Sequence, residues 1–299
     1  MISQPIEGRL KLWHRASAGI HAAGRMVLPT VVWEAGRRLV SVERAPPPEV
    51  GWRREAERLA AIPRYTESRV ELFGAELRIL DAASFLADYE AIFERQVYGF
   101  STDETHPLIL DCGANIGLAS IFFKRAYPNA RVLAFEPDPR ICDVLRSNLM
   151  AVGLTDVEIV EAAVSTYDGH ALFWSEGAHS GRIALPADTG AVLEIACVAL
   201  RPYLERPVEL LKIDIEGEEE SVLRHCEDAL SNVRRIFVEY HGRQDSPQAL
   251  HEQLAILNRA GYRYYVHEAM VPRQPFLARE AVLGMDLQLN IFGIRADEL

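Results

Sequence analysis

The chain has 299 residues, of which 49% are hydrophobic and 25% are charged, and its formal net charge is −11. This composition is typical of a globular protein and excludes a disordered, collagen-like or heavily disulfide-stapled chain. The acidic balance argues against nucleic-acid binding as the main function, because that function needs clustered cations.

The N-terminal segment differs from the rest in pattern and charge. Residues 1–45 show helical spacing of apolar side chains, interrupted at Pro29, and predict one or two amphipathic helices. Residues 1–60 carry ten Arg and Lys against six Glu. A solvated basic face is the simpler explanation, and peripheral contact of residues 1–45 with an anionic membrane is the alternative. Apolar stripes of this kind bury against the chain's own core or a second protomer, and we predict a homodimer.

Cysteine usage and the absence of long apolar runs bear on the cell compartment. Cys197 and Cys226, the closest of the four cysteines, are 29 residues apart, which indicates neither a zinc site nor a disulfide framework. No N-terminal stretch reads as a secretory signal, and the apolar runs are too short to span a bilayer. We therefore expect a cytoplasmic protein without a transmembrane segment.

From Leu108 onwards, strands alternate with helices, which is typical of a parallel sheet covered on both faces. Before that point the pattern predicts a polar helix over 53–61, a hairpin with strands at 70–73 and 76–79, and a helix over 84–98 capped by Ser84. We predict sheet strands at 108–110, 131–135, 157–161, 208–213, 235–239, 262–266 and 288–293, helices at 117–127, 139–152, 218–229 and 247–260, and an inserted β pair at 170–174 and 192–198.

The first of these strands runs into a glycine turn, Asp111-Cys-Gly-Ala-Asn-Ile-Gly117, before an apolar helix. Glycines let the backbone turn tightly and let a ligand approach the free amides of the helix. The spacing does not match a dinucleotide fingerprint or a Walker loop. Asp111 would repel a pyrophosphate but suits a cationic ligand such as S-adenosyl-L-methionine (SAM).

Glu136 follows the second strand, and a carboxylate at this position can accept both hydroxyls of a ribose. Asp138 is better explained as the cap of the next helix. Glu136 and Asp111, at successive strand ends, form a fairly specific pair.

Acidic residues and a histidine follow the later strands. Asp214 and Glu216 come directly after the fourth strand, so they should face the cofactor and the acceptor. Glu239 and His241 end the fifth strand, and we predict His241 as the general base, with Asp214 and Glu216 as the other catalytic residues. No metal is expected. Asp214, Glu216, Glu239 and His241 are nevertheless the residue types of a Mg²⁺- or Ca²⁺-like site, with Asp214, Glu239 and His241 as the candidate ligands. Residues 218–220 are explained by the helix dipole.

Several motifs, taken in order, resemble the class I SAM-dependent methyltransferases of the FkbM type. They are LILDCGANIGLAS at 108–120, AFEPDP at 134–139, LLKIDIEGEE at 210–219 and VEYHG at 238–242. The resemblance implies an α/β fold, with a Rossmann-like, doubly wound, seven-stranded sheet whose last strand is antiparallel. It also implies that the SAM site is formed by Asp111, Gly113, Ala114, Asn115, Gly117, Glu136, Pro137, Ala163 and Asp214. Within that set, Glu136 would hold the ribose and Ala163 would contact the adenine.

We therefore predict a mainly helical N-terminal extension over 1–68 and a methyltransferase domain over 69–299. The predicted activity is SAM-dependent O-methylation of a hydroxyl on a sugar, glycan or secondary-metabolite scaffold. The alternatives are an N-methyltransferase and a cofactor-binding assembly module without turnover. The chain departs from the family at Arg201, where an Asp is expected, and this predicts a reversed charge near the acceptor.

Overall fold

The computed structural model describes residues 52–175, 181–183, 192–244, 246–278, 281–282 and 284–296. The helices predicted within 1–45 lie outside the described residues, so their membrane or dimer role stays a prediction. None of the helices in the described ranges combines the length and apolar character that crossing a bilayer requires.

The first described elements form a small helical and hairpin layer. They are helix α1 (Trp52–Ala60), strands β1 (Ser68–Leu72) and β2 (Ala75–Ile79), and helix α2 (Ala82–Tyr89), which continues as a π-helical turn over Glu90–Glu94. The predicted hairpin is confirmed, with antiparallel pairing of β1 and β2. The predicted cap is wrong: Asp81, not Ser84, begins α2, and the Asp81 side chain accepts a hydrogen bond from the Ser84 amide. Both residue types cap helices, and Asp81 comes first in the chain.

The remaining elements follow the predicted alternation closely. The strands are β3 (Leu108–Cys112), β4 (Arg131–Phe135), β5 (Glu158–Val160), β6 (Ala163–Ser165), β7 (Gly169–Ser175), β8 (Gly181–Ile183), β9 (Val192–Ala199), β10 (Val208–Ile213), β11 (Val233–Arg243), β12 (Tyr262–Met270) and β13 (Met285–Arg295). The helices are α3 (Leu118–Ala126), α4 (Pro139–Ala151), α5 (Glu219–His225) and α6 (Leu250–Arg259), with short 3-10 turns at Arg201–Leu204 and Glu227–Asn232.

Seven strands form the central sheet in the order β12-β13-β11-β10-β3-β4-β5. The pairs from β11 across to β5 are parallel, whereas β13 lies antiparallel between β11 and β12. This confirms the predicted doubly wound sheet with an antiparallel last strand. The predicted inserted pair is also confirmed, because β7 and β9 pair antiparallel within a second sheet of order β6-β9-β7-β8.

The two faces of the central sheet pack into separate cores, because side chains alternate along each strand. On β3, Ile109 belongs to one core, whereas Leu108, Leu110 and Cys112 belong to the other. The first core also holds residues of α1, α2, the hairpin, α3 and α4, and the second holds residues of α5 and α6. Helix α1 and the hairpin thus share one core with the sheet; the domain boundary at residue 68 stays a prediction.

Asn148 on α4 attaches the hairpin to the glycine turn. Its Oδ1 accepts a hydrogen bond from the Arg78 amide at 2.8 Å, and its Nδ2 donates to the carbonyl oxygens of Arg78 and Ile116, each at 3.0 Å. Asn148 is buried. One buried amide side chain therefore makes three hydrogen bonds that fix the hairpin beside the loop that follows β3.

Candidate functional site

A cavity of about 350 Å³ lies where β3, β4, β10 and β11 end. Ligands bind at this edge in open α/β sheets, because the loops that follow parallel strands converge there. Seven of the predicted SAM-site residues line it: Gly113, Ala114, Asn115, Glu136, Pro137, Ala163 and Asp214. The two remaining residues of that predicted site, Asp111 and Gly117, lie outside the lining.

Gly113 lets two loops touch at the floor of the cavity. Its φ is +82°, and a Cβ at this position would lie 1.9 Å from the carbonyl oxygen of Asp214. A larger residue here would push the β10 loop away and strain the backbone. Gly117, with φ of +96°, begins α3, and its Cβ would meet Leu145 at 2.6 Å, so this glycine serves helix packing.

Glu136 lies buried at the end of β4 and faces the cavity. Its Oε2 accepts a hydrogen bond from the Asn115 amide and its Oε1 one from the Asp138 amide, each at 3.0 Å. Each carboxylate oxygen keeps a lone pair for a further donor. Burial raises the pKa of Glu136 to about 7, although both amide hydrogen bonds lower it. Asp138 caps α4 as predicted, because its side chain accepts from the Arg140 amide.

The structure places Asp111 behind the cavity wall, so the predicted direct grip on the cofactor needs correction. Asp111 shares the face of β3 that packs on α3, and its Oδ2 accepts a hydrogen bond from Ser120 at 2.7 Å. Its Oδ1 lies 3.3 Å from the Lys212 ammonium. Lys212 itself lines the cavity, where it donates to the Gly113 carbonyl at 2.9 Å and lies 3.4 Å from Asp214 Oδ2. Asp111 therefore acts on the cavity through Lys212.

Lys212 stays charged in this position. Burial alone lowers its pKa, but the carboxylates of Asp214 and Asp111 raise it well above the ordinary value. Our sequence reasoning missed this residue, although a charged side chain in the otherwise apolar strand Val208–Ile213 was a usable signal.

His241 does not line the cavity, which removes it as the direct general base that we predicted. Its Nδ1 lies 2.9 Å from Glu219 Oε1, and its Nε2 lies 3.6 Å from Glu216 Oε2 and 3.8 Å from Asp214 Oδ1. Burial lowers the pKa of His241, but Glu219 and Glu216 raise it well above the usual value. Asp214 and Glu216, by contrast, both line the cavity as predicted.

The helix dipole does not account for the contacts of Glu219. It is buried, and its carboxylate accepts hydrogen bonds from the amides of Ile215 and Gly217 as well as contacting His241. Glu216 lies in this loop with a left-handed φ of +61°. Glu219 therefore holds both the loop after β10 and the imidazole ring in place.

Part of the cavity lining is rich in hydrogen-bond acceptors. We name it the carboxylate–amide rim, and it consists of Asp214, Glu216, Glu239, Gln288 and Asn290. Glu239 and Asn290 are opposite each other on β11 and β13. Burial, followed by the charge of Asp214, raises the pKa of Glu239 to about 8. Gln288 and Asn290 were missed by the sequence reasoning, because only the strand order brings β13 beside β11.

Apolar groups form another part of the lining. Ala162 and Val164 flank Ala163, and Ile92 and Tyr98 come from the segment after α2. Nothing in the sequence marked this segment as part of the site. Arg201 is elsewhere: it pairs with Asp228 at 2.6 Å on the surface and is absent from the lining, so the predicted charge reversal beside the acceptor is wrong.

The residues present fit SAM. A volume of about 350 Å³ is within the usual range for small-molecule sites, roughly 300–1,000 Å³. The Gly113 turn lines the cavity, Glu136 offers two acceptor oxygens to a ribose, and small apolar residues around Ala163 suit a flat base. When bound, SAM supplies a methyl group on a sulfonium, which makes that carbon electrophilic.

Comparisons with known proteins identify the family of this chain. Residues 111–264 match the family model described as the methyltransferase FkbM domain. The chain is 30% identical over 189 residues to methyltransferase sdnD of Sordaria araneosa, covering 50% of this chain and 73% of that protein. It is 29% identical over 228 residues to the 31-O-demethyl-FK506 methyltransferase FkbM of Streptomyces tacrolimicus, covering 63% and 86%.

Among solved structures, M. jannaschii TYW2 in complex with AdoMet matches with a TM-score of 0.43 and 14% identity, over 78% of this chain and 87% of that one. The family model alone spans more than half of the 299 residues, including the glycine turn, the strand that carries Lys212 and the end of β11. The chain therefore belongs to the FkbM methyltransferase family and is a SAM-dependent methyltransferase.

Proposed function

We propose that this enzyme methylates a hydroxyl group on a sugar, glycan or secondary-metabolite scaffold. The observation that carries the proposal is the carboxylate–amide rim, which lines the same cavity as the predicted SAM residues. Carboxylate and amide oxygens accept hydrogen bonds from hydroxyls, and several of them together suit an acceptor with several hydroxyls. The relative from Streptomyces tacrolimicus is a 31-O-demethyl-FK506 methyltransferase, which supports oxygen as the acceptor atom.

The chemistry asks the protein to align two reactants and to take up one proton. The acceptor oxygen forms a bond to the methyl carbon while the carbon–sulfur bond breaks, and the hydroxyl proton leaves. Glu239 lines the cavity on the rim side, so its carboxylate takes this proton in place of His241. Glu136 and the Gly113 turn hold the cofactor, and Gln288 and Asn290 orient the acceptor.

Turnover with methyl-labelled SAM tests this function. The acceptor panel contains polyhydroxylated compounds, their deoxy analogues and their amino analogues. We expect label on a hydroxyl oxygen, and no label when that hydroxyl is absent. Label found on amine nitrogen alone would overturn the proposal in favour of N-methylation.

The role of Glu239 is tested in the same assay. We expect Glu239→Gln to lower kcat by about 10²- to 10⁴-fold, which is the usual contribution of a general base. The Kd for SAM should stay unchanged. Glu158→Gln is a matched control, because Glu158 pairs with Arg131 on the exposed edge of the sheet. If Glu239→Gln keeps full kcat, another group takes the proton.

A further inference from the structure

Three metal-ligating side chains meet beside the cavity. Asp214, Glu216 and His241 each place one ligand atom within 4.8 Å of the other two. Atoms that bind one ion at 2.0–2.4 Å lie about 3–4.8 Å apart, so this spacing suits a shared cation. Of the four residues that the sequence offered for a metal site, Glu239 lines the cavity outside this cluster.

The imidazole gives a second and independent indication of a ligand. His241 is 7% exposed, and its Nε2 makes no hydrogen bond within the described part of the chain. The nearest oxygens, from Glu216 and Asp214, are at 3.6 and 3.8 Å, which is beyond hydrogen-bond reach. The Nε2 atom of this buried histidine thus faces two carboxylates at ion-pair distance but beyond hydrogen-bond reach.

The other ring nitrogen is fixed as it is in histidines that bind metals. His241 Nδ1 lies 2.9 Å from Glu219 Oε1, and the Glu219 side chain is 2% exposed. Histidine ligands usually donate this second N–H to a carboxylate, which sets the tautomer and aims the free nitrogen at the ion. Glu219 also accepts from the amides of Ile215 and Gly217, so it positions the loop that carries both carboxylate ligands.

The charges around the cluster also favour a cation. Glu219 adds a third carboxylate to those of Asp214 and Glu216. Lys212 contacts Asp214 through Oδ2, which leaves Oδ1 as the atom on the His241 side. The two carboxylates suit a hard divalent ion of the Mg²⁺ or Mn²⁺ type, and the imidazole nitrogen favours Mn²⁺ of these two.

We propose that Asp214, Glu216 and His241 bind a divalent cation of the Mg²⁺ or Mn²⁺ type, with Glu219 as the residue that positions His241. Asp214 and Glu216 line the cavity, so an ion held by them would be reachable from it. An oxygen of a hydroxylated acceptor can then bind the ion. The site extends the proposed function, but its test needs neither cofactor nor acceptor.

The test is Mn²⁺ binding to the EDTA-treated full chain. Binding is measured as the loss of the free Mn²⁺ signal in electron paramagnetic resonance. We expect one saturable site per chain. Glu216→Gln should weaken binding by at least 100-fold, because it removes a ligand. Glu219→Gln should weaken binding by about 10- to 100-fold, because it removes the group that orients His241.

Glu220→Gln is the matched control, since Glu220 is the neighbour of Glu219 on α5 and pairs with Arg224 on the surface. It should bind Mn²⁺ as the wild type does. Thermal melting with and without Mn²⁺ separates lost binding from lost folding, because Mn²⁺ should raise the melting temperature of the wild type and of Glu220→Gln but not of Glu216→Gln. The proposal is overturned if the wild type shows no saturable uptake, or if Glu220→Gln weakens it as much as Glu219→Gln. Failure of O-methylation with intact Mn²⁺ uptake would affect only the proposed function.

Discussion

The pKa of Glu136 makes cofactor affinity depend on pH. If only the ionised carboxylate accepts the ribose hydroxyls, the apparent Kd for SAM rises as that form becomes scarce. With a pKa of about 7, roughly nine in ten Glu136 side chains are ionised at pH 8 and about one in ten at pH 6. We therefore expect SAM to bind about tenfold more weakly at pH 6 than at pH 8.

Ionisation of Glu136 favours cofactor binding but disfavours folding. The folded-state pKa of Glu136 is raised from 4.5 to about 7, so the folded, ligand-free protein holds a proton that the unfolded chain releases. Ionisation of Glu136 thus lowers the free energy of unfolding by about 3 kcal/mol above pH 7. This cost disappears as the pH falls from about 7 towards 4.5, so cofactor affinity and the contribution of Glu136 to stability change in opposite directions.

Calorimetric titration of SAM between pH 5.5 and 8.5, on the wild type and Glu136→Gln, checks this reasoning. The variant should bind about 10- to 100-fold more weakly at pH 8, because it loses charge-assisted hydrogen bonds, and its Kd should not change with this step in pH. Any titration of SAM itself affects both proteins equally. A wild-type Kd that is flat from pH 6 to 8, or a variant with the same slope, would refute the argument.

Three further predictions concern the frame of the site. Gly113→Ala should abolish SAM binding and lower stability by more than Gly153→Ala. Both glycines have a positive φ, but of the two only Gly113 would place a Cβ against another backbone, 1.9 Å from the Asp214 carbonyl oxygen. The backbone strain alone costs roughly 1–2 kcal/mol. Asn148→Ala should lower the free energy of unfolding by about 2–4 kcal/mol in urea titration, because it leaves buried backbone groups without their partner. Arg201→Ala should leave both kcat and the melting temperature unchanged, because its ion pair lies on the surface.

Each of these predictions has an outcome that contradicts it. Equal melting temperatures for the two glycine variants would mean that the loops after β3 and β10 separate at little cost. An Asn148→Ala variant within 0.5 kcal/mol of the wild type, on the scale of ordinary surface changes, would show that the hairpin is held by packing alone. A loss of acceptor turnover in Arg201→Ala would place this arginine in acceptor binding after all.

Much of the fold could be predicted from the sequence, because buried parallel strands are short apolar runs with helices between them. The strand over Arg131–Phe135 has the predicted bounds. The helix predicted over 84–98 differs more from the structure, because its α-helical part ends at Tyr89 and a π turn follows. The side-chain periodicity does not show this change in hydrogen-bond spacing.

The sequence predicted the location of the site in the sheet but not which side chains face the cavity. Asp111 was expected in the turn after β3, yet the strand continues to Cys112. A residue inside a strand takes the side that its alternation dictates, and Asp111 therefore shares the face of Ile109, towards α3 and away from the ligand. An error of two residues in a strand end thus decides whether a carboxylate faces a ligand or a helix.

His241 illustrates a second limit. Its spacing from Glu239 suggested that both side chains serve the acceptor, but only Glu239 lines the cavity. The partner that holds the His241 ring is Glu219, which lies 22 residues earlier on α5. Contacts between elements this far apart in sequence depend on how the helix packs on the sheet, and no local pattern contains that information.

The late position of β13 in the chain has a consequence for biosynthesis. Strand β13 lies between β11 and β12, so β11 has a bare edge until residues 285–295 have left the ribosome. At translation speeds of about 5–20 residues per second, the stretch from Arg243 to Met285 takes roughly 2–8 seconds to make. During that interval the exposed edge can pair with other nascent chains, which makes this the stage at which a chaperone would help most.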